Sequence, residues 1–205
     1  VPPGAAEILK EREELALGYL PGVTTPSSEG AEVVPVFTAR EIEDKVREIG
    51  RRITEDFRGH SVVLVCVLKG SFIFAADLVR AIDLPLRVEF LGVRSYGNST
   101  VSSGAVQITQ DLTRPVEGDD VIVVEDIVDT GLTLSYILDL LSARRARSVK
   151  VCAFLHKPAR SRVPVTIDYL GFTIDDVFVV GYGLDYGEKY RNLPYLGELR
   201  LKSPE

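Results

Sequence analysis

The chain has 205 residues, of which 45% are hydrophobic and 26% charged, enough for one domain with a sizeable core and rather short for two. A formal net charge of -6 argues against a generic nucleic-acid binder, which carries a basic face. The longest apolar run, Val62 to Leu68, falls far short of the roughly 20 residues of a membrane helix. Cys66 and Cys152 stand far apart in separate apolar runs, which fits neither zinc-ligand spacing nor a disulfide framework and predicts two buried, reduced thiols. No apolar stretch of the kind a secretory signal needs lies near Val1, so a cytosolic protein is expected.

Residues 1–35 read as an N-terminal extension. Glu7 to Leu20 has the makings of a helix, and Pro21, Gly22 and the polar stretch Thr24 to Gly30 then form a flexible linker. The domain proper, 36–205, opens with a helix. Thr38 and Glu41 have capping-box spacing, and Ile42, Val46, Ile49 and Ile53 recur at helical spacing. Val62–Leu68 reads as a buried strand, followed after Gly70 by a helix through Phe74, Leu78 and Ile82. Residues 86–93 alternate as a strand, 97–104 are rich in Gly, Ser and Thr, and 105–109 return as a strand. The apolar run Val121–Val124 leads through a turn into a helix around Leu134, Ile137, Leu138 and Leu141. Val149–Leu155 is a further strand, with shorter ones at 166–171 and 177–181.

Strands that alternate with helices and are apolar on both faces predict an α/β fold, a mainly parallel sheet flanked by helices. Ligands of such sheets bind beyond the carboxyl ends of the strands. That rule singles out the loops after Leu68, Val124, Leu155 and Val180.

The second of these loops holds the most chemistry. Glu125 and Asp126 arrive directly after Val121–Val124, and two adjacent acids are costly to crowd unless ribose hydroxyls or a magnesium ion neutralise them. Thr130, Gly131 and Thr133 offer hydroxyls and backbone N–H groups at a helix N-terminus, the makings of a phosphate cradle. A sugar phosphate fits both halves. The plainer alternative is that Asp129 or Thr130 merely caps the helix. A dehalogenase-type phosphatase loop needs two aspartates separated by one residue, whereas Asp126 and Asp129 are separated by two. No Gly-Lys-Ser/Thr of a P-loop is present.

The run Val-Val-Glu-Asp-Ile-Val-Asp-Thr-Gly-Leu-Thr-Leu from Val123 resembles the phosphoribosyl-diphosphate signature of type I phosphoribosyltransferases. The likeness is greatest to the hypoxanthine-guanine enzymes of bacterial type, and it extends from about Val36 to the C-terminus. It implies the type I phosphoribosyltransferase fold with a small hood subdomain. Leu68-Lys69-Gly70-Ser71 matches the family's first loop, where backbone amides, often beside a cis peptide, bind pyrophosphate. An ordinary strand-to-helix turn is the alternative there. Arg94, Ser95 and Tyr96 resemble the start of a lid extending to Gly104, with an exposed hairpin as the alternative.

His-Lys-Pro-Ala-Arg places Lys157 at the family's purine-recognition lysine, whose donor-only ammonium suits a 6-oxo group. Alone, Lys157 would read as a solvated surface lysine. In Asp-Val-Phe-Val-Val-Gly-Tyr-Gly-Leu-Asp-Tyr, from Asp176, the resemblance has Phe178 stack on the purine. Val179 and Asp185 read its 2-position edge, and Asp185 also serves as a ligand of a second magnesium. A core aromatic is the alternative for Phe178. Arg191 matches an arginine that contacts pyrophosphate. Leu132 stands where some relatives carry lysine, so the cradle relies on backbone amides and Thr130 and Thr133.

The implied reaction joins N9 of hypoxanthine or guanine to the ribose C1 of phosphoribosyl diphosphate, giving IMP or GMP and pyrophosphate. Mg2+ held at Glu125 and Asp126 neutralises the leaving group, and Asp129 is the general base. The family resemblance further implies a homo-oligomer, dimer or tetramer, with no nucleic-acid or membrane partner. The alternative from another class is a phosphoribosyltransferase-like regulator that senses phosphoribosyl diphosphate. Preference among hypoxanthine, guanine and xanthine depends on geometry that the motifs leave open.

Overall fold

Strands and helices alternate as the periodicity predicts. In chain order they are β1 (Ala31–Phe37), α1 (Ala39–Asp56), β2 (Val62–Leu68), α2 (Phe72–Ala81), β3 (Leu86–Ser95), β4 (Val106–Gln110), β5 (Asp120–Val128), α3 (Leu132–Ala143), β6 (Ser148–His156), β7 (Tyr169–Thr173), β8 (Val179–Val180) and β9 (Leu196–Leu201). The computed structural model describes residues 31–95 and 106–201. Among the described residues the chain divides into two units, one within 46–176 and one formed by the joined segments 31–45 and 177–201, so that the boundary falls inside α1.

The larger unit is built on a six-stranded sheet of order β4-β3-β2-β5-β6-β7. Five strands run parallel and β4 is antiparallel on the edge. The crossovers β2–α2–β3 and β5–α3–β6 are the connections that parallel pairing demands. Alternation along the valine-rich strands feeds two cores. Val63, Val65, Val67, Val121, Val123 and Val151 pack with Leu134, Ile137 and Leu141 of α3. Elsewhere in this unit Phe154 of β6 meets Phe74 of α2, with ring centroids 5.4 Å apart. Cys66 and Cys152 are buried free thiols, as expected. Burial pushes the Cys66 thiol up to about 12 and raises that of Cys152 as well.

One expectation changes in this sheet. The strand expected to end at Val124 continues to Val128, with Glu125 opposite Ala153 and Val128 opposite His156. Polar side chains ended the apolar run, but ladder pairing uses backbone groups and passes through them. Glu125 and Asp126 are therefore strand residues, and the loop starts at Asp129.

The smaller unit holds an antiparallel sheet of order β1-β9-β8, with Ala31 opposite Leu201 and Val180 opposite Gly197. Val33, Val180, Leu193 and Tyr195 are among the residues of its core. Residues 31–35, read as part of the extension, belong to β1, because Ala31 and Val33 turn an apolar face into this core. β8 also lies in this sheet, so the segment after Val180 does not follow a strand of the parallel sheet. The capping box forms as predicted. The Thr38 N–H donates to Glu41 Oε2 at 2.8 Å, and the Glu41 N–H to Thr38 Oγ1 at 3.2 Å.

Among the described residues no helix is long and apolar enough to cross a membrane.

Candidate active site

The carboxyl ends of β2, β5 and β6 present three of the predicted motifs within the larger unit. The Glu125 Oε2 is buried and accepts no hydrogen bond. Burial, reinforced by the charge of Asp126, drives the Glu125 carboxyl well above the usual carboxylate range. Asp126 Oδ1 accepts the N–H of Ile127 at 2.8 Å. Gly70 has no room for a Cβ, which would overlap the Asp126 carboxylate, so the first loop lies directly against this acid. In that loop the Leu68–Lys69 peptide bond is cis, as the resemblance implied. The buried Ser71 hydroxyl donates to Val67 O at 2.6 Å.

Asp129 to Thr133 forms the turn into α3. Its N-cap is Gly131, at φ 81°, with no side-chain cap, so the plain capping role considered for Asp129 or Thr130 is not what forms. The nearest approach to it is Thr130 Oγ1, which accepts the Leu132 N–H at 3.4 Å. No side chain caps this helix end, the situation in which first-turn N–H groups can serve an anion. A Cβ on Gly131 would run into Val163 O. Thr130 O accepts the N–H groups of both Arg162 and Val163 at 3.0 Å, and Val128 O accepts that of Lys157 at 3.0 Å. The loops after β5 and β6 are thus laced together through their backbones.

Lys157 is only 8% exposed, which overturns the solvated surface alternative. Its Nζ lies 3.7 Å from Asp176 Oδ1, the counter-charge that a buried ammonium requires. Arg160, at the end of a single 3-10 turn Pro158–Arg160, reaches two acids. Its Nε is 2.8 Å from Asp129 Oδ1, and its Nη1 is 3.4 Å from Asp176 Oδ1. The Asp129 contact is an ion pair that lacks hydrogen-bond alignment.

Phe178, Val179, Asp185 and Arg191 lie in the smaller unit. Phe178 is 53% exposed and meets Tyr186 edge-on, with centroids 5.7 Å apart. The core-aromatic alternative therefore fails. Val179 is buried in β8. Asp185 Oδ1 is 2.6 Å from Arg191 Nη2, and its Oδ2 accepts the Glu188 N–H at 2.9 Å. Arg191 Nη1 also donates to Gly183 O at 2.8 Å. Arg94 and Ser95 pair with Gln107 and Val106 as arms of a hairpin. Tyr96 and the stretch to Gly104 lie outside the described residues.

Three neighbours of the predicted residues were not singled out from sequence: Arg160, Asp176 and Tyr186. Each sits inside or beside a recognised motif, and the available signal was their proximity to Lys157, Phe178 and Asp185.

Among the described residues no group of three or more His, Cys, Asp or Glu is arranged to enclose a metal. Two carboxylates, Glu125 and Asp126, are what a magnesium ion carried largely by phosphate oxygens and water requires of a protein.

A family model described as a phosphoribosyl transferase domain matches residues 36–187. The bifunctional protein TilS/HprT of Listeria monocytogenes is 51% identical over 160 residues, 78% of this chain and 25% of that protein. The chain thus spans about a quarter of that relative's length. The hypoxanthine-guanine phosphoribosyltransferase of Bacillus subtilis is 47% identical over 165 residues, 80% of this chain and 92% of the relative. A crystal structure of a hypoxanthine phosphoribosyltransferase from Staphylococcus aureus superposes with a TM-score of 0.78 at 43% identity, covering 81% of this chain and 90% of the other. With motif, fold and these likenesses in agreement, the chain belongs to the phosphoribosyl transferase domain family, in its hypoxanthine-guanine branch.

Proposed function

We propose that the chain transfers the 5-phosphoribosyl group from phosphoribosyl diphosphate to N9 of hypoxanthine or guanine, giving IMP or GMP and pyrophosphate. The observation that carries this reading is the buried Lys157 ammonium, tied through its backbone N–H to Val128 at the end of the strand that bears Glu125 and Asp126. A buried donor-only cation suits a 6-oxo group and rejects an amino group.

In this reading the C1–O bond to pyrophosphate breaks as the N9–C1 bond forms. Asp129 takes or shares the purine proton at N7. Lys69 and Gly70 hold pyrophosphate, as does Arg191. The backbone amides from Thr130 to Thr133, Gly131 and Leu132 included, hold the 5-phosphate. Positive charge that develops on the ribose is stabilised by the nearby carboxylates, more in the transition state than in the ground state. Phe178 stacks on the purine, and Val179 and Asp185 read its 2-position edge. Arg94, Ser95 and Tyr96 begin the lid that excludes water.

The orphaned Glu125 Oε2 and the neighbouring Asp126 suit magnesium, with Asp185 as a ligand of a second ion. When bound, the metal neutralises the diphosphate leaving group. We also propose a cytoplasmic homo-oligomer, dimer or tetramer, with no nucleic-acid or membrane partner.

The test is nucleotide formation from phosphoribosyl diphosphate, magnesium and a panel of hypoxanthine, guanine, xanthine and adenine. Turnover with hypoxanthine or guanine is expected. Tight binding of phosphoribosyl diphosphate without turnover of any base would favour a sensing role instead.

A further inference from the structure

Arg160 and Asp176 have no part in the transfer as described above, yet they stand between two residues that do. Asp129 is paired with Arg160, Arg160 with Asp176, and Asp176 with Lys157, at 2.8, 3.4 and 3.7 Å. Charges alternate along this line, and each interior member serves two partners.

Stability alone does not account for the line. The side chains of Asp129, Arg160 and Asp176 are 38%, 46% and 49% exposed, respectively, and ion pairs of such exposure contribute little to folding. Nor is the arrangement accidental. The segment that carries Arg160 is fixed by Lys157 N–H to Val128 O and by Arg162 and Val163 N–H to Thr130 O, so the guanidinium projects beside Asp129 from an anchored frame. A planar guanidinium can address two carboxylates through separate nitrogens, which a single ammonium does less well.

The contacts also leave the reacting atoms available. Arg160 occupies Oδ1 of Asp129, which leaves the second carboxylate oxygen for a purine proton. At 3.7 Å Asp176 neutralises Lys157 without taking one of its hydrogen-bond donors, since that separation exceeds hydrogen-bond length.

We propose that Arg160 and Asp176 are positioning residues. They form a charge bridge that fixes the proton acceptor Asp129 and the 6-oxo donor Lys157 relative to each other. The inference rests on the transfer reaction proposed above. A base bound through both groups at once is sensitive to their spacing, and misplacement of about 1 Å can cost on the order of 100-fold in rate.

The experiment compares Arg160→Ala, Arg160→Lys, Asp176→Asn and the Arg160→Ala/Asp176→Asn double variant with wild type. It measures kcat, the KM of each substrate, and Tm. Arg160→Ala should lose about 10- to 100-fold in kcat, with the KM for phosphoribosyl diphosphate and Tm close to wild type. Arg160→Lys should recover part of that loss, and Asp176→Asn should raise the KM for hypoxanthine. The double variant should lose less than the product of the single losses, because both break one bridge. Unchanged kcat in Arg160→Ala, a loss that follows Tm and resists rescue by lysine, or fully multiplicative losses would each overturn the proposal. Absence of turnover in wild type would remove the functional reading and this inference with it. Normal wild-type turnover beside an unaffected Arg160→Ala would remove this inference alone.

Discussion

Replacing Gly131 by alanine separates two costs that this turn combines. The first is conformational: Gly131 sits at φ 81°, where a residue with a Cβ loses about 1–2 kcal/mol. The second is steric, since the new Cβ would overlap Val163 O. Relieving that overlap means shifting a backbone held by the Val163 N–H to Thr130 O bond of 3.0 Å, at about 1–3 kcal/mol more. Gly118→Ala is the matched control, because Gly118 has φ 76° and nothing within 4 Å of its Cβ position, so it bears the first cost alone. With no tryptophan in the chain, far-ultraviolet circular dichroism is the probe of unfolding. Gly131→Ala should lower Tm clearly further than Gly118→Ala, by about 2–4 °C for each extra kcal/mol. Gly131→Ala should also lose on the order of 100-fold in turnover, because it moves Asp129 against Arg160. Gly118 precedes β5 at the opposite end of the strand, and its variant should turn over normally. Equal Tm losses, or normal turnover in Gly131→Ala, would refute the tight lacing of the two loops.

Asp129→Asn should keep the KM of both substrates near wild type and lower kcat by about 10²–10⁴-fold, the usual contribution of a general base; unchanged kcat removes Asp129 from that role. Asp120, at the start of β5, bonds Arg147, Ser148 and His60, and these hold its carboxyl at about 2, against an ordinary 3.8, despite its burial. A carboxylate with a lowered folded pKa adds stability that is fully present above its unfolded value and is lost as pH falls through the folded one. Thermal melts of Asp120→Asn should therefore trail wild type at pH 6, with a gap that shrinks below about pH 4 and closes only below about pH 2. A gap that does not change with pH would contradict the assignment.

Local patterns carried most of the fold. The Thr38–Glu41 capping box and the strand Val62–Leu68 form where the sequence placed them, because each depends on residues within one turn or one apolar run. Pairing between distant segments was harder to read. The sheet joining Ala31 to Leu201 unites residues 170 apart in the chain, and neither short strand carries a pattern that names its partner. Glu125 and Asp126 interrupt the apolar run of β5, so that run ends at Val124, while the ladder to β6 continues to His156. Within the site, Lys157 and Phe178 could be nominated by motif, but their states could not. The buried lysine and the exposed aromatic reverse the usual habits of their types. The bridge through Arg160 and Asp176 depends on how two loops meet, which spacing along the chain does not encode.

The sharpest test of Lys157 as the reader of a 6-oxopurine is the ratio of kcat/KM for hypoxanthine to that for adenine, measured with the full chain, phosphoribosyl diphosphate and magnesium. A site built to donate to an oxygen should reject the amino analogue by on the order of 10⁴-fold. Comparable values for the two bases, or a preference for adenine, would contradict it.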